Sequence, residues 1–276
     1  MRSTPFPLSP RPALFAGLAL FAGLAAPLAV AQAQPADAVA RGRAVAVEAD
    51  RRDRGWIDAQ AGLTMVLGSK SGQTAVRELS FRSLERRADT DGDKSLIVFN
   101  TPKDVKDTAL LTFNHIKGND DQWIYLPALK RVKRIASANK SGPFMGSEFA
   151  YEDFAAAEVE KFTYRWLRDE PCGTLTCTVI ERMPAYDNSG YSRQMVWLDK
   201  GELRALKVDY YDQRNQLLKT MTAGAWKQYQ GRFWRSHDMM MVNHQTGKTT
   251  RLTWTTFTFK AGLRDSDFSE TALARP

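Results

Sequence analysis

Cysteine and histidine are scarce in this sequence, which has two cysteines and three histidines among 276 residues. His115, His237 and His244 show no metal-ligand spacing with the cysteines, so the sequence predicts no metal site. The cysteines, Cys172 and Cys177, are close neighbours in the run CGTLTC. In an oxidising compartment such a pair is typical of a disulfide that closes a turn. We therefore expect these two residues to be bonded.

Motifs of the common enzyme classes are also absent. The chain has no G-x-S-x-G, H-E-x-x-H, Walker or G-x-G-x-x-G motif. Asp89, Asp91 and Asp93 resemble the start of a calcium loop, but Asn100 occupies the twelfth position, where such a loop needs an acid. A polar turn is the better interpretation. We therefore predict no catalytic residue, no cofactor and no enzyme activity, and a hydrolase acting on envelope lipids is the weakest alternative.

The N-terminus has the features of a secretory signal peptide. Arg2 and Arg11 precede an uncharged apolar run at 13–33, which ends in the small-x-small pattern Ala31-Gln32-Ala33. An uncleaved membrane anchor is the alternative, because the run is long. We predict cleavage near residue 33, export to the periplasm, and a single domain at 34–276.

Net charge argues against a nucleic-acid site. The whole chain has 39 basic and 31 acidic residues, and the predicted signal peptide contains two of the basic residues, so the exported part carries +6. This charge is modest and dispersed. It fits transient contact with an anionic membrane or an acidic partner better than nucleic acid.

Hydrophobic alternation with a period of two dominates the chain after residue 62. Polar turn sequences such as DTDGDK and DQRNQ separate short runs that alternate or are wholly apolar. A helix is expected at 36–49 and a long connection at 145–162. The predicted strands are 63–67, 76–87, 94–99, 109–113, 122–126, 131–135, 177–183, 194–199, 204–212, 217–223, 232–244 and 249–259. Many short strands with tight turns favour a meander that curls into a sandwich or a barrel.

Large apolar side chains are spread over many of these strands. The runs WIYL and MVWL are apolar at consecutive positions, which indicates burial on both faces of the sheet. A filled core explains each aromatic residue taken singly. Together they also suit an apolar cavity, and we predict that Trp123, Tyr125, Met195 and Trp197 form its wall and bind lipid.

Four cations follow the apolar run WIYL. Lys130, Arg131, Lys133 and Arg134 lie just after a turn that contains Pro127, and they point to both faces of a predicted strand. No single basic face results, which argues against duplex recognition. The four cations are expected to be exposed at a rim, where they contact headgroups or a partner, or else only protect a sheet edge from aggregation.

Three segments resemble one known family in the same order along the chain. They are residues 50–67, the block DDQWIYLPALKRVKRIASANKSGPFMGSEFAYEDF at 120–154, and the tail at 265–273. This block resembles the outer-membrane lipoprotein-sorting protein family, relatives of the periplasmic carrier LolA. The resemblance implies an unclosed, strongly curved antiparallel β-barrel, mainly β, with a few helices that cover its mouth and concave face.

The resemblance also implies an apolar cavity that holds acyl chains. It favours a periplasmic carrier that transfers lipoproteins or lipids toward the outer membrane. Members of this subgroup are associated with inner-membrane transporters of the resistance-nodulation-division (RND) type. The alternative is therefore an accessory module that binds no cargo and docks such a transporter through the four cations at 130–134 and the run FMGSEFAYEDF at 144–154.

Overall fold

One long antiparallel sheet organises the computed structural model, which describes residues 35–86 and 91–273. The predicted signal peptide lies outside the described residues. The helices are α1 (Pro35–Arg52) and α2 (Glu270–Leu273). The strands are β1 (Asp58–Gly68), β2 (Thr74–Leu84), β3 (Lys94–Thr101), β4 (Ala109–Phe113), β5 (Asp121–Leu126), β6 (Arg131–Arg134), β7 (Phe162–Cys172), β8 (Leu175–Pro184), β9 (Arg193–Asp199), β10 (Ala205–Tyr211), β11 (Leu217–Gly224), β12 (Lys227–Tyr229), β13 (Phe233–Arg235), β14 (Asp238–Asn243) and β15 (Thr249–Phe259).

The order of strands in the sheet leaves it open. Thirteen strands of the described chain pair in the order β6-β5-β4-β3-β2-β1-β15-β14-β11-β10-β9-β8-β7, and β6 and β7 are its two edges. Neighbouring strands are antiparallel and most are consecutive in sequence, as in a meander. The predicted mainly β, unclosed and curved architecture is therefore confirmed.

The two faces of the sheet carry separate clusters of apolar side chains. The inner face, as we call it, carries the larger one, which includes Leu63, Met65, Phe99, Val208 and Leu252. On the outer face, α2 and the segment before it cover β3 to β5. This outer cluster contains Leu84, Leu96, Val98, Ala109, Leu111, Phe268 and Leu273. Burial on both sides explains why these strands lack simple alternation.

Helix α1 packs closely on strand β7 at one edge of the sheet. A Cβ atom at Gly42 would be 2.6 Å from the backbone nitrogen of Trp166, so only glycine permits this approach. The Arg41 guanidinium stacks over the Trp166 ring at 3.7 Å. Val45, Ala46 and Ala49 of the same helix pack against the inner cluster. In the described part of the chain, neither helix is long and apolar enough to cross a membrane.

Two strand predictions need correction. The segment 232–244 forms two strands with a turn at Ser236, whose hydroxyl oxygen lies within hydrogen-bond distance of the carbonyl oxygens of Gly224 (2.8 Å) and Asp238 (2.9 Å). Strand β7 was missed, because a bulge between Trp166 and Arg168 breaks its alternation.

The expected disulfide joins Cys172 and Cys177, whose Cα atoms are 5.7 Å apart. Cys172 ends β7, and Cys177 lies near the start of β8. The bond therefore closes the β7–β8 hairpin, as the spacing predicts.

Candidate functional site

An apolar cavity of about 540 Å³ lies against the inner face of the sheet. Such a volume is typical of a site for a small molecule. Its wall is formed by large aromatic and aliphatic side chains from strands β2, β10, β11, β14 and β15. These are Phe81, Val208, Tyr210, Met221, Met239, Leu252, Trp254 and Phe257. Two methionines in this wall give it a surface that adapts to irregular ligands.

Trp254 lies at the centre of the aromatic part of this wall. Its ring packs against Phe81 at 5.3 Å and Phe257 at 5.2 Å between centroids. Its indole Nε1 is buried and has no hydrogen-bond partner in the described part of the chain. An unpaired buried donor is costly unless a ligand or a water supplies an acceptor.

The connection between β6 and β7 covers the cavity. Phe149 and Phe154 of this connection line the cavity, and Phe144 packs on Phe154 with 4.7 Å between ring centroids. This connection, which the structure describes throughout, contains four short 3₁₀ turns and no α-helix. The cover is therefore an aromatic plug in an irregular segment.

A buried ion pair fastens this cover to the sheet. The ammonium of Lys219 on β11 is 2.7 Å from an oxygen of Asp153, and both side chains are at most 5% exposed. Lys219 also donates to the Glu148 carbonyl at 2.8 Å, and the Tyr191 hydroxyl donates to Asp153 at 2.8 Å. Burial and the Asp153 charge raise the pKa of Tyr191 well above its ordinary value, so it stays a neutral donor.

Glu152 is held differently from its neighbour. Its carboxylate accepts hydrogen bonds from Gly190 N (2.8 Å), Ser189 Oγ (2.9 Å) and the Tyr186 hydroxyl (3.1 Å). Burial and the adjacent Asp153 raise the pKa of Glu152. These contacts join the cover to the loop between β8 and β9, so Glu152 has a positioning role.

A second, more polar cavity of about 910 Å³ adjoins the first. The C-terminal end of α1 and strands β8 to β10 line it. The two cavities share Trp56, Arg182, Val196 and Ala205 among their lining residues. An apolar pocket therefore continues into a wider, charged one.

Salt bridges neutralise most of the charge in the wider cavity. Arg54 lies 2.8 Å from Asp50 and 3.0 Å from Glu158, and Arg86 lies 2.9 Å from the same Glu158 oxygen. Burial raises the pKa of Glu158, although the two arginines oppose this. The network holds α1 to the cover.

The structure places Trp123 and Tyr125 on the outer face of the sheet. Trp123 lies opposite Leu111, and Tyr125 lies opposite Ala109, both in the outer cluster. Ile124, between them, is the residue whose side chain points inward. Neither predicted residue lines either cavity.

Met195 and Trp197 are also on the outer face. Trp197 lies opposite Val179 and Lys207, and the Lys207 ammonium is 4.0 Å from the centre of its ring. Val196, between Met195 and Trp197, lines both cavities. The prediction that these four residues form the cavity wall was therefore wrong. Side chains alternate along a strand, so the neighbouring Ile124 and Val196 take the inner face, and of these two Val196 lines the cavities.

The four predicted cations are exposed on β6, at the edge of the sheet, or in the turn before it. Arg134 forms an ion pair with Asp121 on β5. The structure brings Lys130, Arg131 and Lys133 close to Arg134 and away from both cavities. Their contact with headgroups or a partner stays a prediction.

The cavity residues that sequence reasoning missed lie on β2, β10, β11, β14 and β15. Met239 is followed by Met240 in an apolar run, so the pattern there does not show which of the two points inward. Trp254 lies between two threonines. The alternation in TTRLTWTTFTF was the available signal. Leu252 and Trp254 alternate with threonines, and the alternation resumes at Phe257 and Phe259 after a bulge opposite Gly62 and Leu63 of β1.

Comparison with solved structures finds close relatives of the whole described fold. A Vibrio parahaemolyticus domain, provisionally named an outer membrane lipoprotein-sorting protein, is 48% identical, with a TM-score of 0.83 over 86% of this chain and 100% of that one. A DUF1329 family protein from Desulfovibrio piger is 30% identical, with a TM-score of 0.80 over 86% and 99% of the two chains.

One more distant solved structure shows a shared fold, and a family model also matches the chain. A LolA superfamily protein from Nitrosomonas europaea has 17% identity and a TM-score of 0.68 over 84% of this chain and 98% of its own, which shows a shared fold. A family model described as "-like: Uncharacterized protein" matches residues 91–275. None of the curated proteins compared with the chain matches it.

Proposed function

Since this chain belongs to the outer-membrane lipoprotein-sorting protein family, with a LolA-like fold, we propose that it is a non-enzymatic periplasmic carrier of acyl chains. The cargo is a lipoprotein or a lipid in transit toward the outer membrane. The observation that carries the proposal is the apolar cavity on the inner face, with its wall of aromatic and methionine side chains.

The energetics of an acyl chain support this assignment. Each methylene moved from water to an apolar site stabilises the complex by about 0.8 kcal/mol. A chain of many methylenes therefore has a large driving force to enter the cavity. The protein's part is to provide an apolar wall and a cover, and it needs no reacting group.

Mass spectrometry of gently purified protein tests the proposal. Native spectra should show the mass of the exported chain plus an acylated ligand, and mild detergent should remove the extra mass. Protein that is free of lipid under every gentle preparation, and that takes up no acyl probe, would contradict the proposal.

A second candidate is an accessory module that docks an inner-membrane RND-type transporter without carrying cargo. The exposed cations on β6 favour it, because they present positive charge at an open sheet edge. In that case the exported chain takes up no acyl probe, and replacing Lys130, Arg131, Lys133 and Arg134 by glutamine abolishes its association with the transporter.

A further inference from the structure

Nearly every cation that lines the two cavities has a carboxylate partner in the described part of the chain. In the narrow apolar cavity, Lys94, Lys161 and Arg235 pair with Asp265, Asp120 and Asp53. In the wider cavity, Arg51, Arg52, Arg54 and Arg204 pair with Glu48, Glu48, Asp50 and Asp199. Two lining arginines remain, Arg182 and Arg232.

These two arginines differ in their surroundings. Arg232 is exposed and lines only the wider cavity, where it donates to the carbonyls of Arg51 and Arg52 at 3.4 Å. Arg182 is half-buried and lines both cavities. Arg182 is therefore the cation at the junction of the apolar and the polar pockets.

The contacts of Arg182 hold its guanidinium but do not neutralise it. Its Nε donates to Gln194 Oε1 at 2.7 Å, and its guanidinium carbon is 4.6 Å from the centre of the Phe162 ring. No carboxylate of the described residues lies within ion-pairing distance of it. The two terminal nitrogens of the fork have no partner of their own in that part of the chain.

The acids that share the cavities with Arg182 are already engaged. Asp153 is paired with Lys219, and Asp93 and Glu158 contact Arg54. Glu152 accepts three hydrogen bonds from neutral donors. The positive charge of Arg182 is thus left for a ligand.

We propose that Arg182 binds the oxyanion headgroup of an anionic lipid whose acyl chain fills the narrow apolar cavity. The planar fork of arginine suits a carboxylate or a phosphate, which can accept two parallel hydrogen bonds. A half-buried position strengthens this attraction relative to water. The inference rests on the proposed carrier function and narrows its cargo to lipids with a negative headgroup.

Paired ligands that differ only in headgroup charge test this. The exported chain is titrated with palmitate and with methyl palmitate, and in a second arm with phosphatidylglycerol and with diacylglycerol. The first arm reports a free carboxylate, and the second reports a lipid phosphate. The parent should prefer the anionic member of at least one pair by about tenfold or more, the range of a charge-assisted hydrogen bond.

Arg182→Gln should remove this preference and still bind the neutral ligand. Arg232→Gln is the matched control and should keep the preference. Arg182→Lys keeps the charge without the fork and should retain part of the preference, which provides a readout if the glutamine variant does not fold.

The outcomes separate this inference from the carrier function. Binding of both members of each pair with equal affinity by the parent leaves the carrier function intact and overturns the role of Arg182. A preference that survives in Arg182→Gln also overturns it. If no acyl ligand binds at all, the carrier function itself fails, and the headgroup site fails with it.

Discussion

The inner and outer faces of the sheet carry the same kinds of large apolar side chains, yet they meet different neighbours. On the outer face, Trp123 packs against Phe113 with 5.1 Å between ring centroids, and Leu273 and Phe268 fill the space above the same strands. On the inner face, Trp254 and Met239 border a space of about 540 Å³. The side chains that border unfilled space are candidates for function, and the residue type alone does not distinguish them.

The largest expected effect concerns the ion pair that fastens the cover to the inner face. Lys219→Met leaves Asp153 buried without its cation, which typically costs about 3–5 kcal/mol of unfolding free energy. Arg251→Met, on the outer side, breaks an ion pair with Asp238 whose arginine is 57% exposed. That loss should be about 0–1 kcal/mol.

Urea denaturation of the two variants measures the difference. Equal destabilisation of both would mean that the cover contributes no more to stability than an exposed ion pair does. The description of the cover as a fixed part of the cavity would then be wrong.

The next effect concerns the four exposed cations at the β6 edge of the sheet rather than either face. Replacing Lys130, Arg131, Lys133 and Arg134 by glutamine should weaken association with anionic vesicles by about 1 kcal/mol for each cation lost. The difference should shrink as salt screens the charges. Vesicle sedimentation at low and high salt measures this. Unchanged binding at low salt would leave these cations as a solvated edge that resists aggregation.

Removal of the disulfide should have a smaller effect. The double variant Cys172→Ser, Cys177→Ser opens a short loop at the β7–β8 hairpin, so we expect a loss of about 2 kcal/mol. Acyl-probe affinity should not change, because the disulfide end of the hairpin packs in a separate cluster with Val179 and Trp197. None of these residues lines the apolar cavity. A large loss of probe affinity together with normal folding would show that the cavity extends to this hairpin.

The smallest effect is spectroscopic. Trp254 borders the cavity, whereas Trp197 lies on the outer face under Lys207. Binding of a fatty-acyl probe should shift the parent's tryptophan emission. Trp254→Phe should reduce that shift and Trp197→Phe should leave it unchanged, and the reverse pattern would return Trp197 to the cavity wall.

The sequence was sufficient to predict the β-rich meander, the disulfide and the exposed cations. These features depend on local patterns: alternation, turn residues, close cysteines and a run of charge. The family resemblance of residues 120–154 added the open, curved sheet. The first three features depend on residues that are close together in the chain, and the open sheet on a long block that resembles the family.

The sequence does not show which face of the sheet Trp123 and Trp197 occupy. In WIYL and MVWL, consecutive residues are all apolar, so the pattern does not say which are inward. Pairing settles it, since Ile124 and Val196 take the inner positions that Trp123 and Trp197 were expected to occupy. The helix α2, distant in sequence, then makes the outer face of β3 to β5 as buried as the inner one.

A charge placed on one face or the other of β14 tests the central claim most directly. Met239 lines the cavity opposite Leu252, and Met240 points to the other side opposite Arg251. Affinity for a fluorescent fatty-acyl probe should fall at least about tenfold in Met239→Glu, because the carboxylate must be buried beside an acyl chain. Met240→Glu, one residue away, should bind as the parent does. Equal affinity of both variants and the parent, with all three folded, would contradict the assignment of this cavity as the acyl-chain site.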